Sequence, residues 1–256
     1  MNIREKTHLG THFLADQNIA KKIVDSLSPE TDNLIEIGAG TGILTQFLIK
    51  KETNLLILDV DTESIDILHE KFPEQKNKII LQDFLKLNLP DAFENNFSII
   101  GNLPYNISSQ IFFHVLNSVV WVDEMVVMIQ KEVAERIVSP PGSKTYGILS
   151  VLLQTYFTCE YLFSVSPGVF IPPPKVKSAV IRLKNKKNKP DFNEKLFRTV
   201  VKQAFNQRRK TLSNSLKSLA NEHTRKHEIF TKRPEQLKFE QFAFITQQIE
   251  NQASDY

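Results

Sequence analysis

The sequence is poor in cysteine: Cys159 stands alone among 256 residues. A single cysteine excludes a disulfide framework and a cysteine-based zinc site, and it fits a reducing compartment. Long apolar runs are lacking too. None approaches the roughly 20 residues a membrane helix needs. The opening Met-Asn-Ile-Arg-Glu-Lys runs into polar residues with no apolar signal core behind it. These absences set the expectation of a soluble, cytoplasmic protein without a membrane partner. Metal-ligand spacing is also missing: His8, His69, His114, His223 and His227 do not pair with acidic residues in such a pattern, so they are read as surface or structural and no metal is expected.

What is present is an ordinary globular composition, 41% hydrophobic and 24% charged, long enough for one large domain or two small ones. The net charge is only +3, yet it is unevenly spread. From Lys175 to the end, 19 Lys and Arg stand against 8 Asp and Glu, a net +11; the first 174 residues carry 13 basic and 21 acidic residues, a net −8. An acidic body with a basic C-terminal third predicts contact with a polyanion.

From about Asp32 to Leu183, short apolar runs alternate with helical patterns, the signature of βαβ units. Strands are expected at Leu34–Ile37, Leu55–Leu58, Ile79–Leu81, Phe97–Ile100 and Met125–Ile129, with a terminal hairpin from Tyr161–Val165 and Ser178–Leu183. Helices are expected from Ile43 to Lys51 and around Ile65, Leu68 and Phe72. A mostly parallel, doubly wound α/β sheet satisfies this order. Lys184 to Pro190 is a basic linker. After it, Leu196, Val200, Val201 and Phe205, then Leu212, Leu216 and Leu219, then Phe239, Phe242, Ile245 and Ile249 repeat at helical spacing. The expected division is a domain over residues 1–185 and a basic helical domain over 186–256.

Gly38, Gly40 and Gly42 follow the first strand and open a helix, where missing side chains let backbone amides approach a ligand. The spacing is G-x-G-x-G rather than that of a dinucleotide site. Asp59 ends the second strand, where a carboxylate can accept two hydrogen bonds from a ribose diol. Asp83 ends the third and can accept from an adenine amino group; a turn or helix cap is the alternative for either acid. Glu36 precedes the loop and suits either its ordering or a cationic ligand. Together these residues point to an adenosine-containing cofactor.

Asn102-Leu103-Pro104-Tyr105 closes the fourth strand. The exocyclic amine of a base is a poor nucleophile because its lone pair is delocalised into the ring. The Asn102 carbonyl, with a backbone carbonyl held out before Pro104, can accept both amino hydrogens and favour a tetrahedral nitrogen aimed at an electrophilic methyl. Tyr105 offers a ring for base stacking, worth about 1–3 kcal/mol, and positioning suffices without a strong general base. Phe170-Ile171-Pro172-Pro173-Pro174 is a stiff extended segment presenting an aromatic, either a pocket wall or an interdomain strut. Arg208-Arg209-Lys210 is expected to open a helix, against the dipole preference, which favours a phosphate-facing role.

On these blocks the chain resembles the S-adenosylmethionine-dependent rRNA adenine N6,N6-dimethyltransferases of the KsgA group. The resemblance runs from Leu9-Gly10-Thr11-His12-Phe13-Leu14-Ala15-Asp16 through Glu36–Gly40, Gly101–Ser108, Gln130–Arg136, Ser143–Gly147 and Phe170–Val176 to Ala204–Lys210. It implies a Rossmann-like class I methyltransferase sheet with a small C-terminal α-helical domain. It also implies that His12 and Leu14 contact the methionine end of S-adenosyl-L-methionine, with Gly38 beneath it. Asp59 would take the ribose and Asp83 the adenine amino group, while Asn102 faces methyl donor and target amine. Tyr105 and Phe170 would sandwich the flipped adenine. Glu36 and Gly40 complete the expected cofactor set; Leu103 and Pro104 complete the catalytic turn; Lys175, Arg208, Arg209 and Lys210 form the expected RNA contact. Thr11 stands where the family usually has Gln, and Asp59 where it more often has Glu.

The implied activity is dimethylation of N6 on two adjacent adenosines in a loop near the 3′ end of small-subunit (16S) rRNA during subunit biogenesis, by a monomer acting on an assembly intermediate. Alternatives are a resistance-type large-subunit rRNA methyltransferase, which shares the glycine loop and the Asn-Leu/Ile-Pro-Tyr turn, and an assembly factor with a mainly binding role. A DNA adenine methyltransferase would more usually carry Asp at position 102, and the glycine spacing disfavours a nicotinamide dehydrogenase.

Overall fold

The structure, a computed structural model, describes residues 12–188 and 191–252. Leu9, Gly10 and Thr11 of the opening block, His8, and Lys189-Pro190 of the linker lie outside the described residues. The chain forms two compact units. One comprises Met1–Ala134 with Thr158–Asn185, the other Glu135–Phe157 with Lys186–Tyr256.

The first unit begins with β1 (Phe13–Leu14) and α1 (Gln17–Asp25), whose N-cap Asp16 accepts from the Asn18 and Ile19 amides at 2.8 and 3.0 Å. There follow β2 (Asn33–Ile37), α2 (Thr45–Leu48), β3 (Asn54–Asp59), α3 (Thr62–Lys71), β4 (Ile79–Leu81), β5 (Phe97–Asn102), α4 (Ser108–Asn117) and β6 (Val122–Gln130). α5 (Lys131–Val138) and α6 (Ile148–Tyr156) precede β7 (Phe157–Val165), β8 (Phe170–Ile171) and β9 (Ser178–Asn185). Seven strands form one sheet in the order β4-β3-β2-β5-β6-β9-β7. The pairs from β4 to β6 are parallel and β6–β9 is antiparallel. Central parallel strands are covered on both faces, which is why Leu34, Ile35, Ile57, Ile99, Ile100 and Val126 are all buried and read as apolar runs. The strand order reverses between β2 and β5, and a doubly wound sheet opens a ligand crevice at the carboxyl ends beside that switch point.

All five parallel strands lie where expected. The expected hairpin is two neighbouring strands at the sheet edge, separated along the chain by β8. The helix expected over Ile43–Lys51 shrinks to the four residues of α2. Turns occupy positions 41–44, because the preceding glycine loop is held at positive φ up to Gly42.

The second unit adds α7 (Glu194–Asn206), α8 (Leu212–Ser215) and α9 (Phe239–Asn251). Its core gathers Tyr146, Leu152, Leu153, Phe197, Phe230 and Phe242, with the Phe205 ring 6.2 Å from Tyr146 and 5.9 Å from Phe242. The division therefore differs from the expected single boundary. The chain does change unit at 185/186, but Glu135–Phe157 belongs with the C-terminal helices because α6 packs on α7 and α9. Charge is redistributed accordingly: the second unit has 17 basic and 9 acidic residues, and Lys175, Lys177, Arg182 and Lys184 stay on the first.

Arg208-Arg209-Lys210 also departs from expectation. α7 ends at Asn206 with Gln207 as C-cap, and the three cations lie in the turn beyond it. They lie between two helices, after the carboxyl end of the 13-residue α7, where the dipole favours positive charge, and just before Thr211, the N-cap of the four-residue α8. No helix among the described residues is long and apolar enough to cross a membrane.

Candidate active site

The carboxyl ends of β2, β3, β4 and β5 open onto one cleft of about 800 Å3, part of it open to solvent. His12, Gly38 and Gly40 line one side; Asp59 and Asp83 stand at the ends of β3 and just beyond β4; Asn102, Leu103, Pro104 and Tyr105 form the wall after β5. A smaller cavity of about 270 Å3 shares Phe13, Gly38, Gly40 and Asn102 with it and reaches Leu14 and Glu36. Eleven of the twelve expected cofactor and catalytic residues thus converge on two adjoining spaces.

The glycine loop is held by its acid. Asp59 is only 8% exposed. Its Oδ2 accepts the Gly40 amide at 2.8 Å and its Oδ1 the Asp61 amide at 2.9 Å. Each oxygen keeps a second lone pair for a hydroxyl. Burial pushes the Asp59 carboxyl above the usual range, and the amides of Asp61, Gly40 and Val60 pull it back. Gly40 sits at φ +56, and a Cβ there would meet the Phe13 ring at 2.9 Å. At Gly38, φ +66, a Cβ would stand 3.6 Å from the Asn102 carbonyl oxygen. Side chains at these two positions would fill the crossing between the cavities. Asp83 Oδ1 caps the short 3-10 turn Phe84–Lys86 through the Leu85 amide, the alternative foreseen for it, and the residue also lines the cleft.

Glu36 is 1% exposed. Its Oε2 accepts from the Thr45 hydroxyl at 2.7 Å, whereas Oε1 is buried with no hydrogen-bond partner among the described residues. Its pKa is pushed up to about 8, first by burial; the Thr45 hydroxyl opposes the rise and the Asp59 charge adds to it. A buried carboxylate oxygen without a donor fits an incoming cation. An ammonium for Glu36, a diol for Asp59, an amino group for Asp83 and open backbone at Gly38 and Gly40 match the donor and acceptor set of S-adenosylmethionine.

At the reactive end, Asn102 Nδ2 donates to the His12 carbonyl at 2.8 Å, which leaves Oδ1 as the acceptor of that amide. The Leu103 amide donates to the Met128 carbonyl at 3.0 Å and fixes the turn on β6. The His12 and Tyr105 rings lie 5.4 Å apart at 39°, and His12 Nδ1 is 2.9 Å from the Pro172 carbonyl oxygen. Phe170 alone of those twelve residues lines neither space. It is 2% exposed, paired with Leu14 in the two-residue ladder β1–β8, and shares a hydrophobic cluster with Leu14, Val165 and Val180. That antiparallel ladder turns its ring into the core.

Sequence reasoning missed Thr45, Asp61, Phe13 and the β1–β8 ladder. The periodic signal that marks longer strands is absent from a two-residue one. Among the expected RNA contacts, Lys175, Arg209 and Lys210 are exposed. Arg208 is partly held within its own unit: Nη2 donates to the Ser143 carbonyl at 3.2 Å and Nε lies 4.0 Å from Glu235 Oε2. No group of three or more His, Cys, Asp or Glu among the described residues is arranged to hold a metal ion.

A parallel sheet that gathers such groups at its carboxyl ends is the Rossmann-like fold of the class I S-adenosylmethionine-dependent methyltransferases, here joined to a helical C-terminal unit. Comparison with known proteins narrows the class. The ribosomal RNA adenine dimethylase family profile matches residues 2–250. A ribosomal RNA small subunit methyltransferase A of Flavobacterium johnsoniae is 53% identical over 252 residues, 97% of each chain, and one of Parabacteroides distasonis is 51% identical, covering 99% of this chain and 98% of its own. The chain belongs to the ribosomal RNA adenine dimethylase family. Its fold is also that of a dimethyladenosine transferase from Plasmodium falciparum, with a TM-score of 0.83 at 22% identity over 94% of this chain and 98% of that one. The 23S rRNA methyltransferase ErmE superposes with a TM-score of 0.70 at 23% identity, over 92% and 99%.

Proposed function

We propose that this protein uses S-adenosylmethionine to dimethylate N6 of two adjacent adenosines in a loop near the 3′ end of small-subunit (16S) rRNA while the subunit is being assembled. The observation that carries the reading is the Asn102 amide, whose nitrogen is engaged by the His12 carbonyl and whose oxygen is left to accept from an amine, beside Tyr105 in the cleft. Bound against Glu36, Asp59 and Asp83, the cofactor supplies a sulfonium-activated methyl group. The protein orients the nucleophile. Asn102 Oδ1 accepts an amino hydrogen and draws the nitrogen lone pair out of conjugation, while Tyr105 carries the base by stacking. The base must leave its stack to enter. Positioning of this kind supplies much of the rate without a general base.

The relatives at about half identity are named for the small subunit, and that favours the small-subunit target over a large-subunit one. The likeness to ErmE is one of fold. A purely binding assembly factor would have no need to keep Asp59, Asp83 and Asn102 together in one cleft. Lys175, Arg209 and Lys210 would face rRNA phosphates, giving salt-dependent binding. We further propose a monomer without metal, working in the cytoplasm on an assembly intermediate. The test is transfer of radiolabelled methyl groups to separated unmethylated subunits: small subunits should be labelled to two methyls per target adenosine, and equal labelling of large subunits would overturn the assignment.

A further inference from the structure

The Tyr105 hydroxyl lies 2.6 Å from Ser178 Oγ. Ser178 is fully buried and opens β9, in register with Gln130 at the end of β6. Beside it, the Lys177 carbonyl accepts the Lys131 amide at 2.9 Å. The serine hydroxyl is thus presented from a fixed main chain. In a fully buried position a hydroxyl costs stability unless it is hydrogen-bonded, whereas alanine would pack there without that demand. The group it meets is the ring at the mouth of the reactive turn.

A phenol oxygen lies on the axis about which its ring turns, so a hydrogen bond at that oxygen sets where the ring points but not its plane. The plane is restrained separately by the His12 imidazole, 5.4 Å away and itself within 2.9 Å of the Pro172 carbonyl oxygen. Two side-chain torsions therefore meet two restraints from different parts of the first unit.

We propose that Ser178 is a positioning residue for methyl transfer: through the Tyr105 hydroxyl it pre-sets the ring on which the extruded adenine stacks, so that the base arrives with its amine at Asn102 Oδ1. The inference rests on the adenine reading of the cleft. It adds a residue that touches neither cofactor nor base.

Tyr105→Phe, Ser178→Ala and the double variant test it, with methyl transfer to unmethylated small subunits resolved into kcat and KM. One hydrogen bond corresponds to roughly a five- to tenfold effect. Each single variant should lose that much in kcat, and the double variant no more than either alone, with KM for subunits and cofactor affinity little changed. Tyr105→Phe, which leaves the buried Ser178 hydroxyl without its partner, should also melt lower, and the double variant should recover that melting temperature. Tyr105→Ala, which removes the ring itself, should lose far more. Wild-type kcat in both single variants, or losses that multiply in the double, would overturn the proposal. A fall in cofactor affinity parallel to kcat, or a kcat that recovers in the double variant together with the melting temperature, would do the same, since either would mark a packing role only. Should Ser178→Ala fail to fold, Tyr105→Phe alone still decides, because it removes the same bond from the other side. A wild-type protein that labels no small subunits would bring down the adenine reading itself, an outcome separate from any of these.

Discussion

Asn102 is oriented by the main chain of His12, ninety positions earlier, through a hydrogen bond of 2.8 Å from its amide nitrogen to the carbonyl oxygen. A carboxylate could not replace that amide, since it would set oxygen against oxygen. Asn102→Ala and Asn102→Asp should both lose at least about 100-fold in methyl transfer, the scale of a misplaced reacting group. Both should keep a native circular dichroism spectrum. Near-normal turnover of Asn102→Asp in a radiolabelled-methyl assay would show that the His12 bond does not set the amide.

Glu36 makes the cofactor-free protein less stable as pH rises from about 4.5 to about 8. With its pKa at about 8 instead of the usual 4.5, the folded chain holds a proton between those values that the unfolded chain has released. Stability from this group therefore falls as pH rises through that window. Without cofactor, wild type should lose on the order of a few kcal/mol relative to Glu36→Gln between pH 5 and pH 8. Denaturant melts of the two proteins check this; parallel pH curves would refute it.

Gly40→Ala should strain the loop and crowd Phe13, which borders both cavities. An alanine held at φ +56 costs about 1–2 kcal/mol, and the ring must also move from a Cβ contact of 2.9 Å. The expected result is a melting temperature lower by several degrees together with a clear loss of cofactor affinity by titration calorimetry. A variant that melts lower but binds normally would separate the loop from the ligand.

The three cations after α7 should not behave alike. Arg208 is tied to Ser143 and Glu235, whereas Arg209 and Lys210 are exposed. Arg209→Ala with Lys210→Ala should reduce the slope of log affinity against log salt by about 2, for two lost phosphate contacts, and leave the melting temperature unchanged. Arg208→Ala should instead lower stability by about 1 kcal/mol. Filter binding of small subunits across a salt series, beside melting curves, distinguishes the two effects.

Much of the first unit's sheet and of its candidate site was legible in the sequence for one physical reason. Parallel strands buried on both faces are short apolar runs, and the residues that end them, Asp59, Asp83 and Asn102, stand out against them. The glycine loop was legible as well, but not the length of the helix after it, because positive φ at three glycines keeps the chain in turns. Less legible was anything decided by contacts between distant positions. Phe170 reads as an exposed aromatic beside prolines, and only the pairing of Phe170 with Leu14 turns it inward. Ile148–Tyr156 is apolar nearly all round, so its pattern says that α6 is buried but not in which unit. Arg208-Arg209-Lys210 changes meaning with a helix end a few residues away, and helix ends are the least sharply encoded part of a helix. Ser178 looks like nothing more than the start of a strand.

The threading of the chain has a consequence for how the molecule can be made and taken apart. It enters the second unit at Glu135, returns at Thr158 to complete the sheet, and leaves again at Lys186. A protein shortened at residue 185 would not be a catalytic domain relieved of an appendage, because α6 would remain with Tyr146, Leu152 and Leu153 stripped of the helices that cover them. On a ribosome synthesising this chain, the middle segment must likewise wait, apolar and uncovered, for α7 and α9 to emerge. The two units are interleaved in time as well as in sequence, and neither can be acquired, lost or exchanged by a single cut.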